Sequence, residues 1–457
     1  MMLFTTEWLA SVFADYKGAA MDGIEIAEVA TDSRKKLNKS LFIPLAGENF
    51  DGHKYMKDAF DQGAAAALWD KEKDLPEFLP ADFPVFFVED TLTAMQELAK
   101  AYREKVGPVV IGVTGSNGKT TTKDIIASVV ASSFKTHHTE GNLNNQIGVP
   151  LTILSMLPET EVLVTEMGMN HFGEIETLTK IANPDFAVIT NIGESHIEYL
   201  GSREGIARAK LEIIKGMTKD GYLLIDGDEP LLGQVHQRNN VIKCGFDTGN
   251  DVTIKNINIS QQSTQFELSD GENYTIPLVG SHHALNASFA ITIGELLKIT
   301  KDNVKQALTG MELTSMRFEL MDGKNGSSII NDAYNASPTS MKASINAVKH
   351  LGGFRQKVLV LGDVFELGQN SKPLHRSVAD SIDESMTAVL TFGEDADEIS
   401  SAVHKQHPEI DSRHFTSKET LIGTLNTYIS EGTLILFKAS RGMQFESFVK
   451  QVIDPSK

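Results

Sequence analysis

A stretch of small and hydroxyl side chains at residues 112–123, GVTGSNGKTTTK, has the composition of a phosphate-binding loop. It follows the apolar residues 109–111, so it would connect a strand to a helix, where successive backbone N–H groups can face one anion. Lys119 adds a positive charge at that point, and Thr120 or Thr121 has the hydroxyl that such loops place on Mg²⁺. The loop is a variant, since Val113 occupies a usual glycine position, and an ordinary connection between strand and helix is the alternative. The predicted polyphosphate-binding residues are Gly115, Ser116, Asn117, Gly118, Lys119, Thr120 and Thr121.

Two further polar side chains follow apolar runs typical of buried parallel strands. Glu166 ends the run 162–165, and His196 comes shortly after the run 186–189. Because the carboxyl ends of parallel strands share one edge of a sheet, both side chains are expected beside the phosphate loop, where a nucleotide-bound Mg²⁺ finds its ligands. A solvated glutamate and a structural histidine are the alternatives.

Polar loops in the first 150 residues suggest a second ligand. The segment 31–34, TDSR, puts hydroxyl groups beside the guanidinium of Arg34, a pairing suited to phosphate. The loop 46–53, AGENFDGH, is a polar glycine-containing connection of the kind that often binds ligands in α/β proteins. A third loop, 141–150, is dense in amides, which suit a sugar or peptide. Solvated turns are the alternative for all three. The candidate residues are Ser33, Arg34, Gly47, Asp51, Gly52, His53, Asn142, Asn144 and Asn145.

The arrangement of apolar runs predicts an α/β protein of three domains. Short strand-like runs near 41–43 and 85–88 indicate a small α/β domain over residues 1–106, and the phosphate loop opens a central domain over 107–313. Alternating residues after 221, with a hairpin at Asp270 and Gly271, indicate a small antiparallel sheet added to the central fold. A helix should begin after Ser281 as its cap and carry His282 and His283, which as neighbours should not face the same way.

Residues 314–457 alternate between apolar runs and helix-length polar segments, which predicts a doubly wound, Rossmann-like third domain. Within it, Ser337 and Pro338 suit the cap and first position of a helix. The carboxylate of Asp332 is suited to ribose hydroxyls. The last strand-like run leads into a basic, glycine-containing segment, 438–442.

Bulk composition limits the possible functions. A chain of 457 residues with 41% hydrophobic and 23% charged residues is expected to be an ordinary soluble protein with several domains. The net charge of −19 argues against general nucleic-acid binding. The single cysteine, Cys244, allows no internal disulfide, and neither a signal peptide nor a membrane-spanning run is found. We therefore expect a cytoplasmic protein.

These motifs together resemble the Mur ligases of peptidoglycan synthesis over essentially the whole chain. TGSNGKTTTK is similar to the nucleotide loop of that family, and residues 316–319, MRFE, contain its R-x-E element. Glu166 and His196 match metal positions of the family, and Lys210 matches a lysine that several members carbamylate. The segments NDAYNASP (331–338) and LGDVFELG (361–368), with His375, resemble the member that adds the terminal dipeptide. One departure is KASRGMQFE at 438–446, where relatives commonly have a KGSR-like stretch.

The resemblance implies a set of roles for individual residues. Catalysis would rest on Lys119, Glu166, His196 and Lys210, with Mg²⁺ held by Thr120, Glu166, His196 and the carbamylated Lys210. The nucleotide would also contact Asn286, Arg317, Asp332 and Asn335, and the candidates on the dipeptide side are Asp363, Glu366, Lys438 and Arg441. The first domain would bind the uridine diphosphate part of the substrate, and the third would close over ATP.

The implied activity is ATP-dependent formation of an amide bond between UDP-N-acetylmuramoyl-tripeptide and D-alanyl-D-alanine through an acyl phosphate. The implied small-molecule ligands are these two substrates, ATP and Mg²⁺, and we expect a monomer. The nearest alternative is the sister ligase that adds the third amino acid, since TDSR and GENFDGH are common to both. A P-loop ATPase of another class, or an inactive scaffold, is a more distant alternative.

Overall fold

The computed structural model describes residues 2–311 and 315–454. It contains three large sheets, of five, nine and six strands, which follow one another along the chain. The predicted three-domain α/β architecture is therefore confirmed. The division into 1–106, 107–313 and 314–457 stays a prediction, because the second boundary falls on residues outside the described ranges. No helix in the described ranges is long and apolar enough to cross a membrane.

The first sheet has the strand order β2-β9-β8-β5-β4, with β2 antiparallel at one edge. Strands β1 and β3 pair separately, as do β6 and β7. The elements are β1 (Phe4–Thr5), α1 (Thr6–Val12), β2 (Tyr16–Lys17), β3 (Glu25–Ile26), β4 (Glu28–Ala30), β5 (Ser40–Phe42), β6 (Ala46–Gly47), β7 (Phe50–Asp51), α2 (Met56–Gln62), β8 (Ala64–Asp70), β9 (Val85–Val88) and α3 (Thr91–Val106).

The second sheet has the order β11-β12-β10-β13-β14-β15-β16-β17-β18. Its elements are β10 (Val109–Thr114), α4 (Lys119–Ala131), β11 (Thr136–His138), α5 (Gly148–Leu154), β12 (Val162–Glu166), α6 (Glu174–Ala182), β13 (Phe186–Ile189), α7 (Ile197–Leu200), α8 (Arg203–Lys210), β14 (Tyr222–Asp226), β15 (Val241–Gly245), β16 (Val252–Ile259), β17 (Thr264–Leu268), β18 (Asn273–Ile276), α9 (Ser281–Leu296) and α10 (Lys301–Thr309).

Of two predictions about the end of the central domain, one is confirmed and one needs correction. The hairpin at Asp270 and Gly271 is present, and its antiparallel strands are added to the central fold. Strand β16 pairs parallel with β15 on one side and antiparallel with β17 on the other, so the hairpin extends the parallel sheet. Helix α9 begins at Ser281, and its N-cap is Gly280 with φ +127°, so Ser281 is not the cap.

The third sheet has the order β19-β20-β24-β21-β22-β23, with only β19 antiparallel. Ser337 caps α11 and Pro338 is its first residue, as predicted. The elements are β19 (Glu319–Asp322), β20 (Ser328–Asn331), α11 (Pro338–His350), β21 (Gln356–Gly362), α12 (Ser371–Val378), β22 (Ala388–Phe392), α13 (Asp397–Gln406), β23 (Asp411–Phe415), α14 (Lys418–Leu425), β24 (Thr433–Lys438) and α15 (Glu446–Val452).

Buried apolar side chains cover both faces of the large sheets. The central strands β10, β12 and β13 are buried along nearly their whole length, as expected for parallel strands with helices on both sides. Helix α4 packs against β12 and α9 on one face. This packing fixes the carboxyl ends of β10, β12 and β13 at one edge, where the polar residues described next are found.

Candidate active site

A cleft of about 470 Å³ lies between the carboxyl edge of the second sheet and the third domain. The phosphate loop, the ends of β12 and β13, the first turn of α9 and the loops after β20 and β24 all contribute to its walls. Most of the residues proposed from the sequence for ATP and metal binding meet here. They are Ser116, Asn117, Gly118, Lys119, Thr120, Thr121, Glu166, His196, Lys210, Asn286, Arg317, Asp332 and Asn335.

The phosphate loop places backbone N–H groups and one ammonium group at the cleft. Gly115 has φ +150°, and a Cβ atom there would lie 1.8 Å from Thr190 Oγ1, so only glycine fits this approach. Helix α4 begins immediately after Gly118, and its free N–H groups therefore face the cleft. Lys119 Nζ donates to the carbonyl oxygens of Gly115 at 2.9 Å and Ser116 at 3.3 Å. Burial lowers the pKa of this ammonium. The loop can receive an anion.

Glu166 lies at the end of β12, next to the strand that leads into the phosphate loop, and is only 2% exposed. Its Oε2 accepts a hydrogen bond from Thr120 Oγ1 at 2.8 Å, and its Oε1 accepts one from Asn144 Nδ2 at 2.7 Å. Thr120 therefore meets the carboxylate, whereas no such contact is found for Thr121, which also lines the cleft. The pair brings a hydroxyl and an oriented carboxylate together, both oxygen ligands that Mg²⁺ accepts.

His196 and Lys210 also line the cleft. His196 is the N-cap of α7 with φ +64°, and its Nδ1 contacts a carboxylate oxygen of Glu366 from the third domain. Lys210 is the last residue of α8 and is only 2% exposed. Its ammonium has no hydrogen-bond or ion-pair partner within 2–311 and 315–454. Burial, with a smaller contribution from Lys119, lowers the pKa of Lys210 well below its ordinary value. Lys210 is therefore buried at the cleft and is not a solvated lysine on the helix surface.

The third domain supplies a wall of paired charges. Lys438 Nζ donates to Asp332 Oδ2 at 2.6 Å, and the same oxygen accepts from Ser344 Oγ at 2.6 Å. Lys438 thus lies beside the predicted ribose-binding carboxylate, although the sequence analysis placed it on the dipeptide side. The guanidinium of Arg317 lies 4.0 Å from the ring centre of Tyr334, and its Nη2 donates to the hydroxyl oxygen of Thr120 at 3.3 Å.

Two residues of this region were missed from the sequence. Tyr334, within NDAYNASP, is the aromatic platform for Arg317, and its ring is also 5.7 Å from the guanidinium of Arg441. Thr339, in the first turn of α11, donates from both its backbone N–H and its hydroxyl to the carboxylate of Glu194 in the central domain. Tyr334 could have been predicted as a site residue because it is an aromatic residue in a polar loop at the end of a strand.

The two adjacent histidines at the start of α9 correct another prediction. The ring centres of His282 and His283 are 4.0 Å apart, the ring planes are tilted by 43°, and both residues line the cleft. Burial lowers the pKa of His282 to about 4 and that of His283 well below its usual value, so both are neutral near pH 7. Asn286 follows one turn later in the same wall.

The remaining dipeptide candidates are in different surroundings. Both carboxylate oxygens of Asp363 accept hydrogen bonds from the backbone N–H groups of residues 394–396, at 2.7 to 3.0 Å, so this side chain holds a loop in place. Glu366 contacts His196, as described above. Arg441 lines the cleft near Asn335, whose Oδ1 lies 3.4 Å from the Arg441 backbone nitrogen.

A second cavity, of about 340 Å³, lies in the first domain. Ser33, Arg34 and Gly52 line it, together with the aromatic rings of Phe50 and Tyr55. These two rings are nearly parallel, with centres 5.5 Å apart, and both are exposed. The guanidinium of Arg34 forms two hydrogen bonds with the Asp32 carboxylate, at 2.8 and 2.7 Å. The polar residues of this cavity were predicted from the sequence, and the aromatic pair was not.

Other residues proposed for the same ligand lie elsewhere. Asp51 and His53 contact each other at 2.7 Å, and Asp51 caps the short 3₁₀ helix Gly52–Tyr55, which is the structural alternative to ligand binding. Gly47 lies in the β6–β7 hairpin, outside the lining of the cavity. Asn142, Asn144 and Asn145 line the larger cleft instead.

Comparison with known proteins gives three successive matches: "Mur ligase family, catalytic domain" over residues 25–103, "Mur ligase middle domain" over 113–294, and "Mur ligase, glutamate ligase domain" over 316–441. The UDP-N-acetylmuramoyl-tripeptide--D-alanyl-D-alanine ligase of Bacillus subtilis (strain 168) is 47% identical over 433 residues, 93% of each chain. The chain belongs to the Mur ligase family. The enzyme of the same name from Escherichia coli (strain K12) is 32% identical and covers 96% of this chain and 97% of its own.

Solved structures of this family also match over the whole length. The crystal structure of MurF from Acinetobacter baumannii has a TM-score of 0.86, with 28% identity and 98% of each chain covered. MurF ligase from Thermotoga maritima, solved in complex with ADP, has a TM-score of 0.79, with 30% identity, 93% of this chain and 96% of that chain covered. The three domains and their connections are thus those of a Mur ligase.

Proposed function

We propose that this Mur ligase joins D-alanyl-D-alanine to UDP-N-acetylmuramoyl-tripeptide with ATP and produces the UDP-muramoyl-pentapeptide for peptidoglycan. The relative from Bacillus subtilis, 47% identical over 93% of both chains, is named for this reaction. The observation that carries the proposal is the meeting of Lys119, Thr120, Glu166 and His196 in one cleft, opposite Arg317 of the third domain. These are the side chains that phosphoryl transfer from ATP requires.

The reaction needs ATP because a carboxylate has a poor leaving group and must first be activated. The tripeptide carboxylate attacks the γ-phosphorus of ATP, which gives an acyl phosphate and ADP. The amine of D-alanyl-D-alanine then attacks the carbonyl carbon, loses a proton and expels phosphate as the amide forms. Lys119 and the N–H groups at the start of α4 hold the β and γ phosphates, so positioning and charge stabilisation provide most of the rate. Gly115, Ser116, Asn117, Gly118 and Thr121 shape the same loop.

The adenosine part of ATP would occupy the part of the cleft that is lined by α9 and the third domain. We assign it to Asn286, Asp332 and Asn335, with the guanidinium of Arg317 directed at the phosphates. Asp332 is held by Lys438, so its second oxygen can accept from ribose hydroxyls. A related structure, MurF from Thermotoga maritima, contains ADP. His282 and His283 line the same cleft and are neutral near pH 7, so they add no charge near the adenine.

The residues of the cleft also fit Mg²⁺. No group of three or more His, Cys, Asp or Glu side chains converges on one point within residues 2–311 and 315–454. This agrees with Mg²⁺, which usually binds through one or two carboxylates and through substrate phosphates and keeps several waters. We propose Thr120, Glu166 and His196 as its protein ligands, with carbamylated Lys210 at a second ion. When bound, Mg²⁺ would offset the charge between the anionic nucleophile and the phosphate.

Carbamylation of Lys210 is favoured by its surroundings. The reaction with CO₂ needs the unprotonated amine, and burial lowers the pKa of this lysine well below its ordinary value. Because the neutral fraction rises with pH, modification should be more complete at pH 8 than at pH 6. Activity should fall when CO₂ and bicarbonate are removed and return when bicarbonate is added. Activity independent of bicarbonate would remove this assignment.

The first domain should bind the uridine diphosphate of the peptide substrate. Its cavity offers the guanidinium of Arg34, the Ser33 hydroxyl and the exposed aromatic rings of Phe50 and Tyr55. The amides Asn142, Asn144 and Asn145 lie at the larger cleft, where Asn144 contacts Glu166 beside the phosphate loop. We assign them to the sugar and peptide that connect the UDP to the reacting carboxylate.

The decisive experiment is phosphate release from ATP in the presence of UDP-muramoyl-tripeptide, with and without D-alanyl-D-alanine, and with the product mass determined. Release that requires the dipeptide, with a product heavier by the dipeptide less water, would establish the function. Activity with UDP-muramoyl-dipeptide and a single amino acid would indicate the sister ligase. Release independent of both substrates would indicate an ATPase.

We also propose that the enzyme is a cytoplasmic monomer. Use of ATP and a single cysteine, Cys244, which is buried and whose thiol pKa is raised by burial to about 12, suit a reducing compartment. Both cavities are formed within one chain, so the proposed reaction needs no second copy. Sedimentation of the purified protein with both substrates would reveal a dimer if one forms.

A further inference from the structure

One contact between the second and third domains involves a proposed metal ligand. His196 Nδ1 contacts a carboxylate oxygen of Glu366, which belongs to the loop after β21. No hydrogen bond to the other ring nitrogen, Nε2, is found in the described part of the chain, and the ring lines the cleft. The carboxylate thus lies at the Nδ1 edge of the imidazole as an ion-pair contact, and the described residues offer no partner to Nε2.

The backbone around this contact is held in an uncommon conformation on both sides. His196 has φ +64° and Glu366 has φ +62°, a left-handed region that residues with side chains rarely adopt. The backbone N–H of Glu198 donates to the carbonyl oxygen of Glu366 at 3.1 Å, so the two segments are joined by backbone as well as side chain. Strained residues persist where the surrounding structure fixes them, and they cluster at functional sites.

The loop that presents Glu366 is anchored inside the third domain. The backbone N–H of Val364 donates to Nε2 of the fully buried His375 at 2.9 Å, and that of Phe365 donates to Ser440 Oγ at 2.9 Å. Glu366 therefore cannot follow His196 independently. It reaches the imidazole only when the third domain lies against the central one.

We propose that Glu366 is a positioning residue that orients His196 for the metal and so makes full metal affinity depend on contact between the two domains. A carboxylate at Nδ1 keeps the proton on that nitrogen and leaves the Nε2 lone pair for a cation. Metal-binding histidines commonly have such a partner, which fixes the ring and increases its basicity. Here the partner comes from a different domain than the ligand it orients.

This inference rests on the proposed metal ligands of the site, and it predicts a reciprocal effect. If contact between the domains strengthens metal binding, metal binding must strengthen that contact by the same factor. The inference also replaces the role suggested for Glu366 by the sequence, which was recognition of the dipeptide.

The test uses the full chain with Mn²⁺ as the probe and a nonhydrolysable ATP analogue. Electron paramagnetic resonance gives the Mn²⁺ affinity, and X-ray scattering gives the radius of gyration, without peptide substrates. For Glu366→Gln we expect a loss of Mn²⁺ affinity of about 10- to 100-fold and less compaction. Glu366→Asn should act in the same direction, since asparagine tolerates positive φ and any loss would not come from backbone strain. Glu384→Gln, at an exposed position of the same domain, is the matched control.

A double-mutant cycle separates positioning from general damage. If Glu366 acts through His196, then Glu366→Gln should have little further effect on Mn²⁺ affinity in a His196→Gln background. Unchanged Mn²⁺ affinity in Glu366→Gln would overturn the inference, as would additive losses in the cycle. A raised KM for D-alanyl-D-alanine with normal Mn²⁺ affinity would assign Glu366 to the dipeptide instead. Because the Mn²⁺ affinity and the radius of gyration need no amide product, these two readouts remain interpretable if the proposed reaction is wrong.

Discussion

At the scale of single residues, Lys119 has the role with the sharpest consequence. Its ammonium is close to the carbonyl oxygens of the phosphate loop, and burial lowers its pKa, so a bound polyphosphate would be a favourable counter-charge. We predict that Lys119→Ala reduces turnover by on the order of 10³-fold or more, because a charge at the transferred phosphate is lost in a low-dielectric cleft. Phosphate release under saturating substrates measures this. Lys180→Ala, an exposed lysine paired with Glu176, is the control. Near-normal turnover in Lys119→Ala would contradict the proposed ATP site.

Asp226, at the end of β14, gives a prediction about stability and pH. Burial raises its pKa to about 7, far above the ordinary value of about 3.9. Between these two values the folded state holds a proton that the unfolded state releases, so stability falls as the pH rises from about 4 to 7. Asp226→Asn removes this cost. We expect it to be more stable than the natural protein at pH 8 by about 1 to 2 kcal/mol, a value reduced for partial exposure.

The measurement is chemical denaturation of both proteins at several pH values. The difference in unfolding free energy should shrink as the pH is lowered and disappear below about pH 3, where the aspartate is protonated in both the folded and the unfolded chain. A difference that is constant with pH would mean that Asp226→Asn acts through packing or hydrogen bonding with the Asp228 backbone, not through charge.

The types of residue in the sequence predicted the chemistry of the cleft, but they did not predict which residues contact each other there. Lys119, Glu166 and His196 were found because each follows a buried run whose end must lie at one sheet edge. Thr339 was missed because its partner, Glu194, is distant in sequence and belongs to the central domain. Tyr334 was missed although its partner, Arg317, lies in the same domain, because a contact between a ring and a guanidinium has no fixed spacing in the sequence. Pairing across domains leaves no periodic signal in the chain.

At the scale of elements, the residue that caps α11 also contacts the phosphate loop. Ser337 Oγ accepts from the backbone N–H of Ser340 at 3.1 Å and donates to Asn117 Oδ1 at 2.8 Å. Ser337→Ala should therefore lower the free energy of unfolding by about 1 kcal/mol and also raise the KM for ATP. Ser417 caps α14 in the same domain without touching the cleft. Ser417→Ala should cause a similar loss of stability with an unchanged KM for ATP.

Thermal unfolding measures the stability of these two variants, and ATP titrations measure their KM for ATP. If both variants lose stability and neither changes the KM for ATP, the contact between Ser337 and the phosphate loop contributes nothing to nucleotide binding. An equal rise in KM for both variants would point to a general effect of destabilising the third domain.

Elements were predictable where their residues follow a clear apolar pattern. The runs in β10, β12, β13 and β21 are rich in branched residues and stood out. Strand β8 was not recognised because four of its seven residues are alanine, which is common in helices. Strand β23, DSRHF, was missed because it is a polar edge strand paired on one side only.

At the scale of the whole molecule, the two cavities should act on different substrates. Arg34 lines the cavity of the first domain, and none of the proposed ATP-binding residues do. We predict that Arg34→Ala raises the KM for UDP-muramoyl-tripeptide by about 10-fold or more, through loss of a charge at the diphosphate, and leaves the KM for ATP unchanged. Lys57→Ala, an exposed lysine of the same domain, is the control. Equal increases in the KM for UDP-muramoyl-tripeptide and the KM for ATP would contradict binding of the uridine diphosphate in this cavity.

The order of the domains could be predicted from the chain, but their contacts could not. Composition and alternating patterns indicated three α/β units, and the motif resemblance indicated that ATP binds between two of them. The hydrogen bonds between the second and third domains join polar pairs such as Asn117 with Ser337. Each pair consists of residues common on any surface, so nothing in the sequence distinguishes it from a solvated side chain.

These contacts lead to a prediction about closure. Thr339 donates to Glu194 at 2.7 Å, and Arg317 donates to Thr120 at 3.3 Å, so the third domain touches the phosphate loop and the wall beside it. Hydrogen bonds of this kind can break and re-form in solution, and relative motion of domains is common. ATP would add its own contacts to both sides and shift the population toward the closed arrangement.

X-ray scattering can measure this shift. We predict that the radius of gyration decreases when UDP-muramoyl-tripeptide and a nonhydrolysable ATP analogue are added together. Thr339→Val removes the hydroxyl donor to Glu194 with little change in shape, so this variant should need more of the ATP analogue to reach the same compaction. Thr177→Val, whose hydroxyl bonds only within the central domain, should behave like the natural protein. If the natural protein shows no compaction with both ligands, ATP binds to domains already in contact, and the Glu194 contact does not control access to the site.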